Sequence, residues 1–291
     1  MISTIGRVLG CSVALVSLLG AQDRYPVHQE ASISKTLRFS GSGVPTLDAR
    51  MDSGSVQVLA YQGREVQIEA RKTMRAQDDA AMRDAQQEVT LETHEEGPTV
   101  DVVVREGGRT ACGEPGNYRS RAWWDRRRYE VTVDLTIQLP AETRIRLCTV
   151  NSPDVRVQGT SGDFDVQNVN GRIALENVRG SGRASTVNGR VEATFAQAPQ
   201  SDSLFKTVNG DISVTLPQDA SASLRLKTLH GGLFTDFDVV AQPLQNTPAR
   251  EPRNGKYVYR SNGFTSVRIG KGGPELTFDT LNGDVRVLRA R

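Results

Sequence analysis

Short runs in which apolar and polar residues alternate dominate the chain. Tyr129–Leu139 (YEVTVDLTIQL) is the clearest. Val131, Val133, Leu135, Ile137 and Leu139 fall on one face of a strand, Thr132, Asp134, Thr136 and Gln138 on the other, and Pro140 ends it. Thr46–Ala60 and Arg64–Arg71 read as strands, with VQVLAYQGREVQIEA alternating about Gly63 as a hairpin would. Residues 22–46 are mixed and open irregularly. Val89–Thr93 and Thr99–Arg105 read as strands around the turn Glu95-Glu96-Gly97-Pro98. The alternation breaks over Met74–Gln87, where Met74, Ala81, Ala85 and Val89 stand near helical spacing, so one helix is expected at about 76–87. Glu106–Arg128, with Gly107, Gly108, Gly113, Pro115 and Gly116, reads as an irregular loop.

Beyond Cys148 the chain repeats itself. The anchors are TVN at 149–151, NVNG at 168–171, TVNG at 186–189 and 207–210, TLHG at 228–231 and TLNG at 280–283. Their turn residues are Asn151, Asn170-Gly171, Asn188-Gly189, Asn209-Gly210, His230-Gly231 and Asn282-Gly283. The steps between them are 19, 18, 21, 21 and 52, the last containing a proline-rich insertion at about 235–270. Half-repeats fall midway, at Thr160-Ser161-Gly162-Asp163 and Arg179-Gly180-Ser181-Gly182, and an early echo stands at Asp52-Ser53-Gly54-Ser55. Each turn leads into a short alternating strand such as DVRVQ, RIALE or DISVT.

A step near twenty residues signals stacked units that bury their apolar side chains only against each other. Val155, Val157, Val166, Ile173, Leu175, Val191, Ile212 and Val214 are then one internal ladder. Asn and Gly suit turns because both tolerate positive φ. The valine before each turn is expected to point inward and the threonine to sit at the rim. Asn-Gly between alternating runs is also a hairpin signal, so an antiparallel meander competes with the solenoid. The solenoid accounts for even steps and midway turns together. The expected fold is therefore all-β: a β-solenoid (β-helix-like) of about 20-residue repeats over 148–291, preceded by an N-terminal β region with one helix over 22–147. That N-terminal region is the expected cap of an otherwise open solenoid end.

At these residues the chain resembles a large uncharacterised bacterial adhesin-type family with β-strand repeats. The likeness rests on the TVNG(D/R)-x-x-V runs, on Ala70–Gln87, on the strand before Pro140, and on Gly272-Gly273-Pro274-Glu275-Leu276 leading into TLNGDVRV, and it spans about residues 45–291. It implies a β-helix-like domain exported to the envelope. The chain departs from the pattern at Thr149–Pro153, at Thr228–Gly231 and in the long insertion.

Composition adds the destination. Arg7, the apolar run Val8–Leu19 and the small pair Gly20-Ala21 read as a signal peptide over 1–21, too short to span a bilayer comfortably. Val8–Cys11 also fits a lipoprotein box, but the apolar run follows Cys11 instead of preceding it, so lipidated and retained-anchor forms stand second to export into the periplasm or to the cell surface. Beyond residue 21 two cysteines remain, Cys112 and Cys148, and an even count in an exported protein reads as a disulfide. The formal net charge of +2 nominates neither nucleic acid nor an acidic partner.

Chemistry is sparse. His28, His94 and His230 lack metal spacing, and no cofactor, metal or nucleophile motif appears. Asp163/Asp165 and Asp236/Asp238 would each set two carboxylates on one strand face about 6.5–7 Å apart, a spacing open to acid–base work or calcium but also usual for a solvated face. The segment Tyr118–Tyr129 holds Arg119, Arg121, Trp123, Trp124, Arg126, Arg127 and Arg128 against Asp125. Such Arg/Trp groupings anchor interfaces. The expected function is a non-enzymatic envelope scaffold or adhesin. The alternative is a module binding an anionic envelope glycan, lipid or protein through the Arg/Trp loop. A polysaccharide-active β-helix enzyme is the third reading.

Overall fold

The computed structural model describes residues 24–107, 110, 112, 128–243, 249–253, 256–260 and 263–291. Among them the alternation becomes twenty-three strands and one helix. The first part holds β1 (Val27–Arg38), β2 (Thr46–Ser53), β3 (Val56–Tyr61), β4 (Glu65–Ala76), α1 (Asp79–Glu88), β5 (Val89–Glu96), β6 (Thr99–Glu106) and β7 (Tyr129–Pro140). The repeats follow as β8 (Arg144–Asn151), β9 (Asp154–Gln158), β10 (Phe164–Gln167), β11 (Arg172–Val178), β12 (Gly182–Ser185), β13 (Val191–Phe195), β14 (Ser203–Lys206), β15 (Ile212–Leu216), β16 (Ala222–Lys227) and β17 (Leu233–Thr235). The insertion and tail carry β18 (Val239–Ala241), β19 (Ala249–Arg253), β20 (Lys256–Arg260), β21 (Thr265–Ile269), β22 (Glu275–Asp279) and β23 (Val285–Arg289).

From β8 to β17 the chain changes sheet at every turn. One sheet runs β1-β4-β7-β3-β9-β11-β13-β15-β23-β17 and the other β18-β21-β16-β22-β14-β12-β10-β8-β2-β6-β5, while β19 and β20 pair apart as a hairpin. Within the repeats, equivalent strands pair in parallel, as in β9 with β11 and β10 with β12. Two large sheets thus face each other in a solenoid-like stack, and the antiparallel meander does not occur here. Val155, Val157, Val166, Ile173, Leu175, Val191, Ile212 and Val214 are all buried between the sheets. Phe164, Phe195, Phe205 and Phe278 form an aromatic file with centroid separations of 6.3, 6.0 and 5.3 Å.

Three expectations need correction. The stretch 22–46 opens with a twelve-residue edge strand, β1, antiparallel to β4. The hairpin about Gly63 does not form, because β7 lies between its two arms, parallel to β3 and antiparallel to β4. The helix begins at Asp79 because the Asp78 side chain caps it, accepting from the Ala81 amide at 2.9 Å. The hairpin of β5 and β6 stands as read.

Helix α1 closes one end of the stack, joining β4 of one sheet to β5 of the other and burying Ala81, Met82 and Ala85. At its C-terminal end, where helical carbonyls run short of backbone donors, a side chain adds three. The buried Lys72 ammonium donates to the carbonyls of Ala85 (3.0 Å), Gln86 (3.1 Å) and Val89 (2.7 Å).

Stacking order departs from chain order twice. The arch β22–β23 lies between β14–β15 and β16–β17, and β2–β3 lies between β6–β7 and β8–β9. The long last step of the repeat follows from this: the coil at 282 returns to a place between the coils at 209 and 230. The early echo at residues 52–55 is likewise a coil turn, with Ser53 in register with Asn151.

Candidate functional site

The repeat turns converge on one edge of the stack, where Asn151, Asn170, Asn188, Asn209, Asn282 and His230 form a single row. Four asparagines donate from Nδ2 to the Oδ1 of the neighbour one coil back: Asn170 to Asn151 at 2.8 Å, Asn188 to Asn170 at 2.9 Å, Asn209 to Asn188 at 2.8 Å and Asn282 to Asn209 at 2.7 Å. His230 Nδ1 ends the row 3.0 Å from Asn282 Oδ1. With Asn282 Nδ2 already donating, that oxygen accepts from a protonated Nδ1.

The anchor residues serve other ends than turn propensity suggests. Among the described residues Asn177 is the one non-glycine at positive φ, and it lies outside the anchors. The asparagines are there for the ladder. The glycines alone carry the backbone requirement: Gly189 and Gly210 sit at φ +158° and +155°, and a Cβ on either would collide with the carbonyl oxygen of the glycine one coil back.

The inward and outward assignments are also reversed. Thr186, Thr207 and Thr280 are buried, whereas Val187 is 39% and Leu229 64% exposed. Thr207 stands two residues after the inward Phe205, and Thr280 two after Phe278, so strand parity turns the hydroxyl inward and the next side chain outward at the corner. The buried hydroxyls find acceptors, Thr207 Oγ1 donating to Gly189 O at 2.8 Å and Thr280 Oγ1 to Gly210 O at 2.9 Å, and the half-buried Thr228 Oγ1 donates likewise to Gly283 O at 2.8 Å.

The second candidate, the Arg/Trp loop, is held at both ends. Cys112 is bonded to Cys148, with Cα atoms 5.6 Å apart. Cys148 occupies an outward position of β8, in register with Arg50 and Gln167 and flanked by the buried Leu147 and Thr149. Buried Thr110 donates to Asp52 at 3.1 Å beside this link. At the other end Arg128 pairs with Asp78, the helix cap. The Ala81 amide, more than Arg128, holds the Asp78 carboxyl below the usual carboxylate range. Arg119, Arg121, Trp123, Trp124, Arg126 and Arg127 lie outside the described residues.

The acidic pairs are engaged locally. Asp163 accepts from the Ser181 amide at 3.2 Å, and Asp165 accepts from Gln167 at 3.0 Å while standing in register between Arg146 and Arg183. Both border an open cleft of about 350 Å³ shared with Arg144, Arg146, Ser181 and Asp202. Asp236 accepts from the Arg289 amide and Asp238 pairs with its guanidinium, each at 2.8 Å. On the sheet opposite that cleft Arg172 bridges Asp154 (2.9 Å) and Glu192 (3.3 Å), and the hydrogen bond it donates to Asp154 holds its guanidinium pKa up. Among the described residues no three His, Cys, Asp or Glu side chains cluster as a metal site would require.

Residues 142–271 match the family model described as Toastrack DUF4097, a shorter span than the motif resemblance. Among solved structures, the chain is similar to a "putative cell adhesion protein" from Clostridium sporogenes ATCC 15579, with 9% identity over 90% of this chain and 100% of that one and a TM-score of 0.46. It is also similar to a "putative lipid binding protein" from Parabacteroides distasonis ATCC 8503, with 10% identity over 89% and 97% and a TM-score of 0.27. No curated protein matches the chain.

Proposed function

We propose that this chain is a non-enzymatic, exported cell-envelope protein, an adhesin-type or structural scaffold that displays its sheet faces and turn ridge in the periplasm or at the cell surface. One observation supports this reading above the others. The repeated polar groups bind one another: asparagine to asparagine, threonine to glycine carbonyl. The repeat therefore acts as architecture, and the exposed aliphatic side chains beside the asparagine row and the charged outer faces are what a partner meets. The test is to incubate purified protein with envelope fractions, following both co-sedimentation and the glycan pool. Retention on envelope material with unchanged glycans is expected. Release of cleaved glycan would overturn the reading in favour of a polysaccharide-active enzyme.

A second reading rests on the tethered loop. The disulfide at Cys112–Cys148 and the Arg128–Asp78 pair fix both ends of an Arg/Trp segment suited to an anionic glycan, lipid headgroup or acidic protein patch. Alanine at Trp123, Trp124 and Arg126–Arg128 should then abolish retention on envelope fractions. Full retention by that variant would dispose of the loop as the binding element.

A further inference from the structure

The arch Glu275–Arg289 fills a slot whose two walls are consecutive coils of the same chain. On one wall the amides of Thr207, Gly210 and Ile212 donate to the carbonyls of Asp279, Asn282 and Asp284 at 3.0, 2.8 and 2.9 Å. On the other, the arch's own amides at Thr280, Gly283 and Val285 donate to the carbonyls of Lys227, His230 and Gly232 at 3.0, 3.0 and 2.9 Å. Thr280 and Thr228 add one hydroxyl bond to each wall. Leu276, Phe278, Val285 and Val287 are buried, and Phe278 stacks on Phe205 at 5.3 Å. The arch thus has a complete binding site presented by the rest of the chain.

It reaches that site through a glycine-rich turn, Gly270–Pro274, that crosses the start of β16. Gly270 and Gly272 sit at φ +54° and +81° there, and the Lys271 amide is held by Ser221 Oγ at 3.2 Å. A short, tightly bent hinge next to an element with a full binding site favours exchange between identical chains. Thr228 in the outer coil and Thr280 in the arch have the same role, each hydroxyl donating to the glycine carbonyl of the neighbouring coil in the stack.

We infer that the slot recognises a T-x-N-G strand–turn–strand arch whichever chain supplies it, and that a second copy of this protein supplies it, giving a two-fold dimer with reciprocally exchanged Glu275–Arg289 arches. The inference does not depend on the proposed function. Ser213 and Arg286 are outward-facing register partners on adjacent strands, so Ser213→Cys/Arg286→Cys places a reporter bridge across the slot. Equal amounts of light and ¹⁵N-labelled variant are unfolded with the Cys112–Cys148 bond intact and refolded over a wide concentration range. They are then oxidised, sized by light scattering and mapped by mass spectrometry. A dimer that grows with refolding concentration is expected, with mixed light–heavy 213–286 bridges making up about half of the dimer's bridges, as random pairing requires. A chain that stays monomeric throughout, or a dimer whose bridges are all unmixed, overturns the proposal. So does an equal yield of mixed bridges from chains that also carry Gly283→Val, whose added side chain collides with the Gly210 carbonyl.

Discussion

Three residue types of one tetrapeptide do three separable jobs, and substitution distinguishes them. Gly210 permits close approach, so Gly210→Ala should destabilise by about 3 kcal/mol or more, combining unfavourable φ with a backbone collision. Thr207 neutralises a buried carbonyl. Thr207→Val should therefore cost about 1–2 kcal/mol while Thr207→Ser stays near wild type, both read from denaturant midpoints. Much of this was legible in the letters. The inward valine ladder followed from alternation alone. The inward threonine was legible too, since it keeps parity with Phe205 or Phe278. What hid it was the assumption that a β-branched apolar residue outranks a hydroxyl for the interior, which fails where the preceding coil offers a carbonyl to bond. The asparagine ladder was not legible, because its partners are set by pairing across coils and not by any local preference.

Helix α1 and its surroundings show how an element ends where chemistry lets it. Lys72 takes the place of a C-terminal capping motif. Lys72→Met should destabilise by about 2 kcal/mol by removing three hydrogen bonds at the helix end. Burial pushes the Lys72 ammonium below its usual 10.5. Between that depressed value and 10.5 the unfolded chain binds more protons than the folded one, so this residue's contribution to stability rises with pH across that window. Lys72→Met should flatten that rise in urea melts run at stepped pH. The Cys112–Cys148 bond closes a separation of 36 residues, and its reduction should cost about 4 kcal/mol in the chain-entropy model, seen as a lower denaturant midpoint with reductant present. Strand β1 was harder to foresee because its alternation, through Ala31, Ile33 and Leu37, is thinned by an edge position exposed to water. The β3–β4 hairpin misled because local alternation carries no information about a third strand arriving between the two.

Coil order is set by the whole chain and by no single repeat. Equal steps announce stacking, but the order of the stack depends on where linkers cross, and nothing near residue 282 states that its coil returns between two earlier ones. The asparagine row offers a direct check. A double-mutant cycle between Asn209 and Asn282 should show coupling of about 0.5–1 kcal/mol, whereas Asn209 with His230, its neighbour by chain order, should show none beyond error. Coupling in the second pair would return the coils to chain order. The outer-face functions were legible only as residue types. Alternation marks which side chains face outward, while what they bind depends on a partner.

The interposed arch also decides how the protein answers mechanical load. In an ordinary solenoid a pull on the last residue peels the terminal coil away rung by rung, each bond breaking alone. Here the final strand, Val285–Arg289, is flanked by β15 and β17. A tether at Arg291 therefore loads two ladders of backbone bonds at once, in shear, and also draws on the stacked Phe278. In the envelope role proposed above, a load entering at Arg291 would thus meet a strand held in shear on both sides instead of one that peels.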